Sequence, residues 1–251
     1  MVTSFLVKDS TSISPSDMLF KLGIGFLFVC LMTTNCAHAQ TSLYTKVGVG
    51  TYQMKQLERF QSELIQELPI PAKVVNDFPA TLTYELGLTH QFSENMASGG
   101  FIGYYSTGGR SHYADYSGQL RFDHLLQAYN AGMLFTVDLS DGEDTKRIAP
   151  WFFVKLSAIY TLYDLVQYLE IGQENSSEEF YFKSLNVGLQ PGFSFQIPLR
   201  YFSICPEISY DLQLPGKLFF DDRAFLLNEQ GEEVKANWSG FRVGVRVARR
   251  L

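Results

Sequence analysis

The side chains best equipped for chemistry are Arg110, Ser111, His112, Asp115, Ser117, Asp123 and His124, gathered in one short stretch. A serine hydroxyl, an imidazole and a carboxylate are the parts of a nucleophilic hydrolase: the ring takes the serine proton and the acid orients the ring. The stretch lacks the G-x-S-x-G turn that would expose such a serine. Adjacency in sequence does not bring side chains into line, so the histidines are expected on an upward strand extension and no catalytic residue is assigned. Two further stretches are rich in carboxylates. One carries Glu170, Glu174, Glu178 and Glu179, and the other Asp221, Asp222, Glu229, Glu232 and Glu233. The regular spacing of a calcium loop is missing, so these read as solvated surface and no metal ligand is predicted. Asn175-Ser176-Ser177 and Asn237-Trp238-Ser239 match the glycosylation pattern by coincidence. No phosphate loop, zinc spacing or dinucleotide fingerprint is found, so no cofactor is implied.

A second set of reactive side chains is periodic. Lys46, Glu85, Asp138, Lys155, Glu207, Asp211, Arg242 and Arg246 lie in segments that alternate strictly between apolar and polar residues. In the clearest, Leu185 to Ile197, the residues Leu185, Val187, Leu189, Pro191, Phe193, Phe195 and Ile197 share one parity. Asn186, Gly188, Gln190, Gly192, Ser194 and Gln196 share the other. A strand sends alternate side chains to opposite faces, so one face is apolar and the other small or polar. The pattern recurs over Leu43–Thr51, Leu82–His90, Tyr129–Leu139, Phe152–Tyr163, Phe202–Leu214 and Phe241–Leu251, with a Gly- and Tyr-rich segment of ambiguous facing over Gly99–Ser106. Eight strands result. Short connections over Gln91–Ser98, Ser140–Glu143 and Pro198–Tyr201 alternate with long ones over Gln53–Thr81, Thr107–Ala128, Asp164–Ser184 and Pro215–Gly240.

The eight charged residues all fall on the polar parity. The apolar parity carries more large side chains than an eight-stranded interior could hold. The apolar face is therefore expected to meet lipid, and the charges to fill the lumen as an ion-pair network, because buried charges persist when paired. Arg242 and Arg246 should face Glu207 and Asp211, and Lys46 should face Glu85. Tyr44, Tyr52, Tyr84, Tyr104, Tyr105, Tyr129, Trp151, Tyr160, Tyr163, Tyr201 and Trp238 lie mostly near strand ends, as interfacial girdles would. In the first long loop, Leu57, Phe60, Leu64, Ile65 and Leu68 share a helical face, ended by Pro69 and Pro71. That helix packs on the barrel rim or lies on the membrane as a lid. In the last loop, Phe219, Phe220, Phe225, Leu226 and Leu227 suggest a folded hairpin cap turning at Asn228–Gly231, or an adhesive patch.

The start of the chain reads as a signal peptide over 1–39. Lys21 precedes an apolar run from Leu22 to Met32, and Ala37-His38-Ala39 offers a cleavage site. The start is over-long if Met18 is the true initiator, and Thr33-Thr34-Asn35 ahead of Cys36 matches a lipobox poorly. Cys30 and Cys36 leave with the leader, so Cys205 has no internal disulfide partner. The net charge of −6 argues against nucleic acid.

The leader, the eight alternating strands and the final Phe241-Arg242-Val243-Gly244-Val245-Arg246-Val247 resemble the small outer-membrane proteins of the OmpA-like barrel superfamily, over Gln40 to Leu251. The resemblance implies an all-β, eight-stranded antiparallel up-and-down transmembrane barrel with a short helix in its first outer loop and no peptidoglycan-binding domain. It also implies an outer-membrane location, lipid and lipopolysaccharide as neighbours, a last strand read by the barrel assembly machinery, and a monomer. Leu251, after Arg249-Arg250, departs from the aromatic residue that commonly ends that strand. The expected function is structural or surface-binding, with a closed lumen, and not enzymatic. The alternatives are a lipid-modifying hydrolase or acyltransferase, and a soluble lipocalin-like carrier with Leu185, Val187 and Phe193 turned inward around an apolar ligand.

Overall fold

The computed structural model describes residues 40–66, 73–116, 118–140, 148–171, 174–220 and 224–251. The predicted signal peptide, Pro69, Pro71, Ser117, Asp221 and Asp222 lie outside them. In chain order the elements are β1 Gln40–Gly50, α1 Lys55–Gln66, β2 Lys73–Asn76, β3 Thr81–Ser93, β4 Met96–Asp115, β5 Gly118–Asp138, β6 Ala149–Ile171 and β7 Glu174–Pro198. Then come β8 Ser203–Leu214, the short β9 Gly216–Lys217, β10 Phe219–Phe220, β11 Ala224–Phe225 and β12 Lys235–Ala236, and finally β13 Gly240–Arg250. The neighbour order β7-β6-β5-β4-β3-β1-β13-β8, with β8 also pairing β7, closes an antiparallel ring of eight strands. Closure leaves no edge along the ring, where an open sheet would expose unpaired backbone.

The apolar parity faces outward. Leu86, Ile102, Leu156, Phe193, Ile208 and Val245 are all about half exposed around the outside of the ring. Val187 and Phe193 are exposed too, which removes the carrier reading: the face it needs inside is outside. The ambiguous strand resolves the same way, with Ile102 outward and Phe101 and Tyr105 buried within.

The lengths of β4 to β7 correct the sequence reading. Thr107–Ala128 and Asp164–Ser184, expected as long loops, are continuations of the strands, paired in unbroken register up to Asp115↔Gly118 and Ile171↔Glu174. They were missed because their alternation changes phase. Below Tyr129, β5 turns Tyr129 and Phe135 outward and Leu134 and Thr136 inward; above it, Leu120, Phe122, His124 and Leu126 are the buried set. β6 and β7 change in the same way, with Tyr163 and Leu165 buried on β6 and Phe182 on β7. The backbone keeps its pleat, so each face simply exchanges its chemistry along the strand. The outward face is apolar below and charged above, while the inward face is polar below and apolar above. The change falls at a row of tyrosines in register, Tyr84↔Tyr104↔Tyr129↔Tyr160. From Tyr129 to Leu139 ten residues, at about 3.3 Å each and tilted about 40°, rise about 25 Å, the height of an outer-membrane apolar band.

Above the tyrosine row the elongated strands form a wall around a soluble-type core. Its members include Met54, Leu57, Phe60, Leu64, Phe78, Leu126, Tyr163, Phe182, Leu226 and Trp238. Helix α1 lies in this core, not on the membrane. Leu57 and Phe60 are fully buried, Gln61 Nε2 donates to Ser111 Oγ on β4 (2.9 Å), and Gln56 Oε1 accepts from the Lys235 amide of the last loop (2.8 Å). The last loop folds over the same core. Phe219 pairs Phe225, Leu227 bridges Glu233, and the chain turns through Asn228–Gly231, where Gly231 adopts a left-handed φ of 76°. Phe225 and Leu226 are buried, so they cap the core and form no adhesive patch.

Candidate functional site

Inside the ring, seven of the eight charged residues expected in the lumen meet in one layer. Lys46 Nζ lies 2.8 Å from Glu207 Oε2, and Arg246 Nε 2.8 Å from Glu207 Oε1. Lys155 Nζ donates to both oxygens of Glu85 at 2.7 Å, and Arg242 Nη2 lies 3.5 Å from Asp211 Oδ2. Side chains this buried hold their charges through such contacts, since removing one partner strands an ion in a dry interior. Two expected details are corrected. Lys46 stands opposite Glu85 in register, yet its ion pair is with Glu207, two strands away. Glu85 instead takes Lys155, three strands round the ring. A lumen this narrow lets long side chains reach across it, which neighbour-by-neighbour reading cannot see. Asp138 is not in the layer: it sits at the lower rim, accepting from the Ser140 amide (2.9 Å) and hydroxyl (2.6 Å).

The charged layer lies between two apolar ones. Below it, Tyr44, Phe101, Leu134 and Phe153 fill the lumen. Glycines make room for them: a Cβ on Gly87 would lie 2.5 Å from the Tyr44 ring, and one on Gly192 2.5 Å from the Phe153 ring. Lys155 rests over both Phe101 (5.2 Å) and Phe153 (5.4 Å), and Tyr44 Oη donates to Glu85 (2.8 Å), so the two layers are stitched together. Above it, Arg242 joins the charges to the outer core. Its Nη1 donates to Thr51 O (2.5 Å) and its Nη2 to Trp238 O (2.7 Å), and its guanidinium covers Tyr52 (4.7 Å) and Tyr105 (5.3 Å). Trp238 in turn donates to Thr161 Oγ1 at 2.9 Å. Between the layers is a cavity of about 20 Å³ lined by Lys46, Glu85, Tyr105, Asn130, Gln190 and Asp211. That is room for one water or little more.

The expected girdle residues divide. Tyr84 and Tyr129 face outward, whereas Tyr44, Tyr105, Tyr163 and Trp238 are buried inside, where burial and stacking hold them. The phase of the alternation was the signal that separates the two groups.

The hydrolase constellation does not assemble. Ser111 points into the outer core and accepts from Gln61. His124 also points inward, with Nδ1 2.7 Å from the Tyr163 hydroxyl and its ring between Tyr163 and Phe78. Burial depresses its pKa from 6.5 to about 4, with a small opposing pull from Asp123. Arg110, His112 and Asp123 lie on the opposite, outward face, where Asp123 Oδ1 accepts from Arg110 Nε (2.5 Å) and Oδ2 lies 3.0 Å from Arg121 Nε. Asp115 accepts from Tyr113 (2.9 Å) at the strand tip. Among the described residues, Ser111 and His124 share the inward face but are bonded to Gln61 and Tyr163, and Asp123 lies on the outward face, so no serine, ring and carboxylate are brought together. Among the described residues no cluster of three or more His, Cys, Asp or Glu side chains is placed to hold a metal.

No protein-family model and no curated protein matches the chain. Among solved structures it is similar to Neisserial surface protein A, at 9% identity and a TM-score of 0.40, over 85% of this chain and 99% of that one. It is also similar to Ail, the attachment invasion locus protein of Yersinia pestis, at 14% identity and 0.34, over 83% and 98%. OprG from Pseudomonas aeruginosa, an outer membrane protein, matches at 8% and 0.38, over 85% and 94%. Likeness of this degree settles neither a ligand nor a role, and the ring, its faces and its lumen carry the functional argument by themselves.

Proposed function

We propose that this chain is an integral outer-membrane barrel whose lumen is closed and whose work is done by its outer wall, in a structural or surface-binding role. The observation that supports this is the exchange of faces at the tyrosine row. Below it, large apolar side chains cover the outside of a ring whose charges are inside; above it, the same strands wear a charged exterior over an apolar core. A sheet in water throughout has no reason to change phase, and one in lipid throughout would not carry Arg110, Asp123 and Arg121 outward. In this reading the exported chain inserts as a monomer through the assembly machinery that reads β13, and lipopolysaccharide surrounds its outer wall. The apolar layers above and below the ion pairs argue for a lumen that does not conduct.

Fractionation combined with conductance tests the proposal. The protein should enrich in outer membranes, shift its mobility on gels when boiled, and give no steady channel in planar bilayers. A soluble periplasmic species would overturn the location, and stable channels would overturn the closed lumen.

A further inference from the structure

The wall of the ring begins where the predicted leader ends. β1 starts at Gln40, which pairs with Gln91 on β3. The next residue, Thr41, accepts from the Leu251 amide through its carbonyl (2.9 Å), and its hydroxyl lies 3.2 Å from His90 Nδ1. Ala37-His38-Ala39 stands immediately ahead of Gln40 in the sequence, and signal peptidase cuts after such a small-x-small triplet. A cut there leaves no tail between the new end of the chain and the sheet, so the first residue of the mature protein is a glutamine already in register. Gln40 shares the inward parity of Tyr44 and Lys46, both of which are buried. It stands at the open lower end of the lumen, however, and is exposed.

A glutamine with a free α-amine holds a nucleophile and an acyl carbon at the two ends of a chain short enough to close a stable ring. The neutral amine attacks Cδ of the carboxamide. The Nα–Cδ bond forms, the Cδ–Nε2 bond breaks, and a proton from the amine leaves with the departing nitrogen as ammonia. The product is the lactam pyroglutamate, and no oxidant or second substrate is consumed. An α-amine titrates near pH 8, so roughly a tenth of it is in the attacking form at pH 7. The lactam also suits this position. It keeps an N–H and the carbonyl of residue 40, the groups a strand end offers its neighbour. It removes an ammonium from a rim where Arg249 and Arg250 already stand on the adjoining strand, opposite Leu43 and Ser42. Leu43 and Phe92 are 42% and 46% exposed near this level, and an uncharged end beside such an apolar surface costs less than a charged one. We infer that removal of the leader after Ala39 is followed by closure of Gln40 to pyroglutamate, so that the mature barrel begins in an uncharged lactam at its periplasmic rim. The inference rests on the outer-membrane reading with its signal peptide, and assigns a modification site to the first residue of the wall.

The test is mass spectrometry of the barrel isolated from the membranes of cells producing the whole chain. The first fragment should begin at residue 40, weigh one ammonia less than the open glutamine form, and fail to react with an amine label. Pyroglutamyl aminopeptidase should then remove the blocked residue and expose the amine of Thr41. Gln40→Ala should give a heat-shifted band like that of wild type and a first fragment that takes the label in full. A chain begun at Gln40 by cleavage in vitro, refolded and carried through the same isolation, should stay largely open. Equal closure in that control would assign the ring to handling and overturn the modification. A wild-type barrel with the heat-shifted band and an open, labelled Gln40 would overturn the lactam alone. A first residue other than Gln40, or a lipid on Cys36, would overturn the cut after Ala39 and the lactam with it. An uncut chain outside the membrane fraction would count against the outer-membrane reading itself, so the failures are told apart.

Discussion

Two buried side chains set the sharpest tests at the scale of the residue. Glu207 is shared by Lys46 and Arg246, each 2.8 Å away. Its replacement by alanine leaves both cations without that partner in a dry layer and should cost about 3–5 kcal/mol. The check is the urea midpoint at which the compact, unboiled gel band is lost. By contrast, Glu85→Leu with Lys155→Met removes a whole pair and should cost less than either change alone, a comparison that a double-mutant cycle measures. His124 makes the outer core sensitive to acid. Its folded pKa of about 4 lies below the ordinary 6.5, so an opened core binds the proton more readily than the closed one. The stability this neutral ring supports is complete above about pH 6.5 and is lost as pH falls from there toward about 4, amounting to about 3 kcal/mol in full. The protection factors of the α1 amides, with the pH dependence of intrinsic exchange divided out, should therefore fall between pH 7 and pH 5 in wild type, and much less in His124→Phe.

The element is where sequence and structure part company. The pairing of Arg242 with Asp211 and of Arg246 with Glu207 was legible, because β8 and β13 are neighbours and parity alone puts the four on one face. The crossing pairs were not, since Lys155 reaches Glu85 through the lumen and sequence patterns speak only of adjacent strands. The tops of β4 to β7 were hidden by the phase change at Ala128–Tyr129 and its equivalents: a period of two that changes face looks like an interruption. Two interlocking alternations of opposite phase, such as Leu120, Phe122, His124, Leu126 followed by Tyr129, Ala131, Met133, were in the chain all along. Helix α1 was read correctly as amphipathic, but its apolar face meets the outer core and not a bilayer. Phe60→Ala should accordingly cost about 3–5 kcal/mol, all of it above the tyrosine row. Limited proteolysis should then cut within α1 while the heat-shifted band of the barrel persists; loss of both together would mean that the two parts fold as one unit.

The whole molecule consists of two storeys built on one set of strands. The lower is a membrane barrel with its polarity inside out. The upper is an ordinary water-facing wall around an apolar core, and Arg242 fastens the two together. What divides the storeys is the change of environment along a single face. Nitroxide labels placed one at a time at Leu156, Tyr160, Asp164, Val166 and Tyr168 of β6, in a Cys205→Ser background reconstituted into bilayers, read that change directly. Oxygen should dominate the relaxation of labels at Leu156 and Tyr160, a nickel chelate should dominate from Asp164 upward, and the crossover should lie just above the tyrosine row. Nickel access at Leu156 would show a barrel standing in water, and oxygen dominance as far as Tyr168 would show that the wall has no upper storey outside the membrane.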